Sequence, residues 1–139
     1  MDEYINGFVE RTEGNLYLGR IDIDGVSLDD IECSLFSENG KNYIWLRRRP
    51  MLVYDAEMMV FKKRERRPTC EVYLEKHHDS GVTLYKGEFA FLRFRYSIVG
   101  VWDRIIGDNN KRLNLFVERL PMSQQTIING INERKRQIK

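Results

Sequence analysis

The stretch 84–102, LYKGEFAFLRFRYSIVGVW, is the densest apolar and aromatic run in the chain, and its period constrains the fold more than any other feature. Read with a period of two, Ala90, Leu92, Phe94 and Tyr96 point one way and Phe89, Phe91, Arg93 and Arg95 the other. A helix would gather its apolar side chains at every third or fourth position, so the pattern predicts one long strand. One face of it is a core face, and the other sets two rings beside two guanidinium groups.

The same period recurs through most of the chain, punctuated by turn dipeptides. Residues 4–11 and 16–24 read as a hairpin around Glu13-Gly14-Asn15, and Asp24-Gly25 suits a two-residue hairpin loop because its backbone tolerates positive φ. Residues 27–36 mix a capping-box spacing, Ser27 with Asp30, with the strand-like alternation of Ile31, Cys33 and Leu35, and the strand is preferred. After Asn39-Gly40, residues 42–48 alternate cleanly, with Ile44 and Leu46 on one side and Tyr43, Trp45 and Arg47 on the other. AEMMVF, from Ala56, suits a helix or a strand, and the cationic run 62–67 before Pro68 has no face to bury. Strands follow at 69–76 and 112–119, with turns at 77–81 and 107–110. Only the last segment changes period: Ser123 caps a helix expected over 123–137, with Ile127, Ile128 and Ile131 on one face and Arg134, Lys135 and Arg136 near its negative end.

At 139 residues, 42% apolar and 32% charged, the chain is long enough for one domain with a core of its own. The expected fold is α+β, mainly antiparallel β: about eight strands in a barrel or sandwich with a C-terminal helix, filling 1–139 as a single domain. A weak internal match bears on its organisation. Leu16-Tyr17-Leu18-Gly19 resembles Leu84-Tyr85-Lys86-Gly87, and GKNYIWLRRRPM from Gly40 resembles KRLNLFVERLPM from Lys111, so 15–51 and 83–122 are candidates for two similar β units.

No apolar run is long enough to span a bilayer, and two cysteines outside any C-x-x-C pair suit a reducing, cytoplasmic setting. Charge is unevenly placed. Residues 1–40 hold two basic side chains against ten acidic, a net −8, residues 41–67 nine against three, a net +6, and residues 68–139 twelve against eight, a net +4. Such a chain can offer a polyanion one basic side, or its parts can neutralise each other on folding.

Catalytic and metal motifs are thin. Cys33, Cys70, His77 and His78 lack paired ligand spacing, Asp22, Asp24 and Gly25 open a calcium loop that lacks its later ligands, and the glycines stand singly at turns. The expectation is a non-enzyme without cofactor or metal. The remaining signal is arginine and lysine interleaved with rings: Tyr43, Trp45, Arg47 and Arg49, then Lys62, Lys63 and Arg64, then Phe89, Phe91, Arg93 and Arg95. Cations that track phosphates beside rings that stack on bases suit single-stranded nucleic acid, DNA or RNA. The alternative is a protein-binding or assembly module, such as a viral structural subunit or an inhibitor, using the same rings and arginines as anchors and allowing a homo-oligomer.

Overall fold

The computed structural model describes residues 5–103 and 111–125. Ten strands run through them: β1 Gly7–Glu13, β2 Leu16–Ile23, β3 Val26–Glu38, β4 Lys41–Arg48, β5 Met51–Asp55, β6 Val60–Arg64, β7 Glu71–Asp79, β8 Val82–Phe91, β9 Phe94–Asp103 and β10 Arg112–Arg119. Eight of them close a barrel in which chain neighbours pair antiparallel, β4 beside β7 and β10 back onto β1. The remaining two, β5 and β6, form a separate two-stranded hairpin inserted between β4 and β7. A helical turn begins at 122–125, and the rest of the expected C-terminal helix, with the turn at 107–110, lies outside the described residues.

Alternation builds the barrel directly. Ile21, Ile31, Ile44, Leu46, Leu74, Ile98, Leu113 and Leu115 point inward and are fully buried, and an eight-stranded barrel is just wide enough for such side chains to fill. Tyr17, Tyr85 and Trp102 pack together toward one end, with ring centroids 5.5 Å and 6.3 Å from the indole. Phe89 and Tyr96 stack at 5.6 Å toward the other end, where the inserted hairpin departs. The turns obey their sequence signals: Asp24-Gly25 and Asn39-Gly40 both take positive φ at both residues. Gly19 answers a different need, since a methyl group there would lie 1.8 Å from the Phe8 carbonyl oxygen, so β1 and β2 cross too closely for any side chain.

The central stretch is not one strand. It reverses at Leu92-Arg93 into the hairpin β8–β9, with Phe91 opposite Phe94 and Leu92 at φ 57°. Reversal through two residues shifts the alternation by one phase. Phe89 and Phe91 therefore face the interior, 4% and 1% exposed, together with Tyr96, while Ala90 and Leu92 face out. Leu-Arg carries no turn signal, yet Phe91 and Phe94 pair across it in the β8–β9 ladder.

The two matched segments, 15–51 and 83–122, each contain three successive antiparallel strands, β2–β3–β4 and β8–β9–β10. Tyr17 and Tyr85 both point inward, as do Ile44 and Leu115. Any three successive strands of an up-and-down barrel share that order, so the order alone does not set these segments apart.

The hairpin is tied to the barrel by one carboxylate. Asp30 accepts two hydrogen bonds from Arg48, at 3.0 and 2.8 Å, and pairs with Arg66 at 3.1 Å, while Arg48 also donates to the Pro68 carbonyl and Arg66 to the Arg49 carbonyl. Burial opposes ionisation of Asp30, but the hydrogen bonds and charge of Arg48, with the charge of Arg66, outweigh it and hold the carboxyl below its ordinary pKa. A depressed folded pKa contributes stability that is present above the unfolded value and lost as pH falls through the folded one. Asp30→Ala is accordingly expected to cost about 2 kcal/mol in urea unfolding at pH 7, because it strands two guanidinium groups. The difference from wild type should shrink as the pH drops below about 4, where an unfolded aspartate is already protonated. An undiminished difference at pH 3 would show that the carboxylate's charge is not what ties the hairpin down.

Candidate functional site

Outward-pointing side chains of β3, β4 and β7 form an aromatic platform. The ladder registers place Trp45 between Ser34 and Tyr73, and Tyr43 between Phe36 and Glu75, so four rings meet on the outer wall. Phe36 stacks on Tyr43 at 5.3 Å, Trp45 lies parallel to Tyr73 at 6.1 Å, and Phe36 meets Tyr73 edge-on at 5.9 Å. Together with Glu38 these rings line an open concavity of about 510 Å³. The Arg47 guanidinium covers the Trp45 ring at 4.3 Å, and the indole N–H is closed off from solvent without an acceptor among the described residues.

The rim of this platform is acidic. On the same outer faces stand Glu32, Glu38, Glu71 and Glu75 against Lys41 and Arg47. Arg47 is bound to Glu32 at 2.8 Å, Arg49 reaches the same carboxylate at 4.0 Å, and Lys41 holds Glu75 at 3.2 Å. Glu38 and Glu71 have no ion-pair partner among the described residues.

The residues singled out in the sequence therefore fall in different places. Tyr43, Trp45 and Arg47 share the platform as expected, with Arg49 just beyond it. Phe89 and Phe91 are corrected from an exposed face to the core, because of the reversal at Leu92-Arg93, and are not available to stack on a ligand. Arg93 sits exposed in that turn, and Arg95 lies on β9, three strands round the barrel from β4, its backbone held by the Gln125 side chain. Lys62, Lys63 and Arg64 lie on β6, where Lys62 pairs with Asp55 at 2.8 Å. Phe36 and Tyr73 were missed. Each is one ring among mixed neighbours on its own strand, and only pairing with β4 brings it to the platform.

The hairpin is the second exposed feature. Leu52, Tyr54, Met58, Met59, Val60 and Phe61 supply half of the exposed large apolar side chains among the described residues. Register puts Leu52, Tyr54 and Phe61 on one face with Lys63, and Tyr54 meets Phe61 edge-on at 5.2 Å. Asp55 accepts hydrogen bonds from the backbone N–H groups of Glu57 and Met58, closing the turn. Met59 is 76% exposed and sits at φ 55°, a conformation in which glycine or asparagine costs less.

The residues examined for chemistry are engaged elsewhere. Asp24 forms the β2–β3 turn and binds Tyr96 and Arg119; the Tyr96 hydroxyl, then Arg119, hold its carboxyl below the usual range. Asp22 is held by Ser27 and Arg20. Cys70 faces the interior, and His77 lies exposed seven residues along β7, a separation of roughly 23 Å in a strand. Among the described residues no three histidine, cysteine or acidic side chains are grouped to hold a metal ion, and no helix is long and apolar enough to cross a membrane. Comparison with protein-family models, with curated proteins and with solved structures finds no match.

Two predictions follow from burial. Burial pushes the Cys33 thiol far up and the Cys70 thiol up to about 12, so a thiol-specific disulfide reagent should label neither in the folded protein at pH 8 and both in denaturant. Rapid labelling of the native protein would contradict the interior placement. Trp45 is only half buried on the outer wall, so Trp45→Ala should cost about 1 to 2 kcal/mol, against about 3 to 4 for the fully buried Ile44→Ala. Equal losses in chemical denaturation would place the indole in the core.

Proposed function

We propose that this protein is a non-catalytic assembly module that makes its contacts through the β5–β6 hairpin. The observation that carries this reading is the hairpin's exposed apolar surface, with Phe61 69% and Met59 76% exposed on a ribbon that pairs with no other strand among the described residues. An isolated two-stranded hairpin is marginal in water, and exposed aromatic and methionine side chains beside cations are the composition of a protein interface. Met59 strengthens the case. An apolar side chain held in a strained turn position, where a polar one would be cheaper, is a choice against local stability, and such choices gather at functional sites.

A second reading, binding of single-stranded nucleic acid, draws on Arg47 over Trp45 with Tyr73 exposed beside it, and on Lys63, Arg64 and Arg93, which have no ion-pair partner among the described residues. It ranks second because Glu38 and Glu71 at the platform's rim have no ion-pair partner among the described residues, which disfavours phosphate there, and because Phe89 and Phe91 are withdrawn into the core.

Sedimentation velocity over a hundredfold range of concentration separates the two. The wild type is expected to associate as concentration rises, whereas Met59→Asn remains monomeric with an unchanged or raised melting temperature, since asparagine suits the turn. A wild type that stays monomeric throughout, and binds short single strands with an affinity that falls steeply with salt, would establish the second reading instead.

A further inference from the structure

The hairpin needs an acceptor, and the same chain displays one. Resting on the assembly reading, we propose that the hairpin of one copy docks into the aromatic concavity on the outer wall of a second copy. The two features are both rich in rings and carry opposite unpaired charges. The hairpin sets Leu52, Tyr54 and Phe61 on one face, and the concavity is lined by Phe36, Tyr43, Trp45 and Tyr73, the last 55% exposed. Methionine and aromatic side chains pack well on such rings. Lys63, on the same hairpin face as the rings, and the neighbouring Arg64 have no ion-pair partner among the described residues, and neither do Glu38 and Glu71 at the concavity's rim. The unpaired charges on β6 are thus cationic and those at the concavity's rim anionic, while the hairpin's unpaired carboxylate, Glu57, lies in its turn.

This arrangement disfavours hairpin-to-hairpin pairing through β6. Along the open edge of β6 run Lys62, Lys63 and Arg64, which repel their own copies, and charged edge strands of this kind resist edge-to-edge association. Hairpin and concavity are different surfaces, so a single contact leaves one of each unfilled. Two copies can fill both reciprocally, and otherwise the contact propagates into a larger ring or a filament.

A mixing experiment tests this. Phe61→Asp disables the hairpin and Tyr73→Asp the concavity, and both positions lie outside the barrel core. Each variant alone should sediment as a monomer where the wild type associates, with affinity reduced at least tenfold. An equimolar mixture should yield a two-subunit species and nothing larger, because the intact hairpin of one variant meets the intact concavity of the other and the chain then terminates. Charge reversal provides a second route that leaves the rings untouched: Lys63→Glu and Glu38→Lys should each weaken association about tenfold, and the double variant should return to within threefold of wild type. Unimpaired association of Tyr73→Asp, a mixture that remains monomeric, or a double variant no better than the singles would overturn the proposal while leaving the hairpin as a contact element. A wild type that never associates would remove the assembly reading itself, and this inference with it.

Discussion

Closure of the barrel is the constraint on which the rest depends. β1 pairs with β10, so the first and last strands of the barrel satisfy each other and no barrel strand is left with an open edge. Asn6 secures this seam: its backbone N–H donates to the Leu115 carbonyl, its carbonyl accepts from the Asp22 N–H, and its side-chain oxygen accepts from the Val117 N–H. With the apolar faces of eight strands turned inward and their edges paired, what remains apolar outside is conspicuous. It is concentrated in the hairpin and the aromatic platform.

Electrostatics follows the same closure. The acidic first third is not a separate field, because folding lays four of its carboxylates against later arginines: Glu10 against Arg112, Asp24 against Arg119, Asp30 against Arg48 and Arg66, Glu32 against Arg47. The asymmetry visible along the chain largely neutralises itself on folding. What is left over is local: Glu38 and Glu71 beside the platform, and Lys63 and Arg64 on β6, have no ion-pair partner among the described residues.

The hairpin and the barrel also differ in what holds them. The barrel rests on buried apolar area shared among all eight strands, whereas the hairpin rests on its own ladder and the Asp30 clamp at its base. A hairpin attached in this way can be altered at its tip without disturbing the barrel.

Period-two alternation and turn dipeptides were enough to specify an antiparallel β domain, because they act between residues that are neighbours in sequence. Ile44 and Leu46 inward, Trp45 outward and the turns at Asp24-Gly25 and Asn39-Gly40 could all be read locally. Only the tertiary structure decided what depends on strands distant in sequence. The reversal at Leu92-Arg93 has no turn chemistry of its own and shows only in the β8–β9 pairing, and it carried Phe89 and Phe91 from an expected binding face into the core. The platform likewise exists only because Phe36 and Tyr73, each unremarkable on its own strand, flank β4 in the ladder. Alternation states which residues share a face, and only pairing across the sheet states which faces share a neighbour.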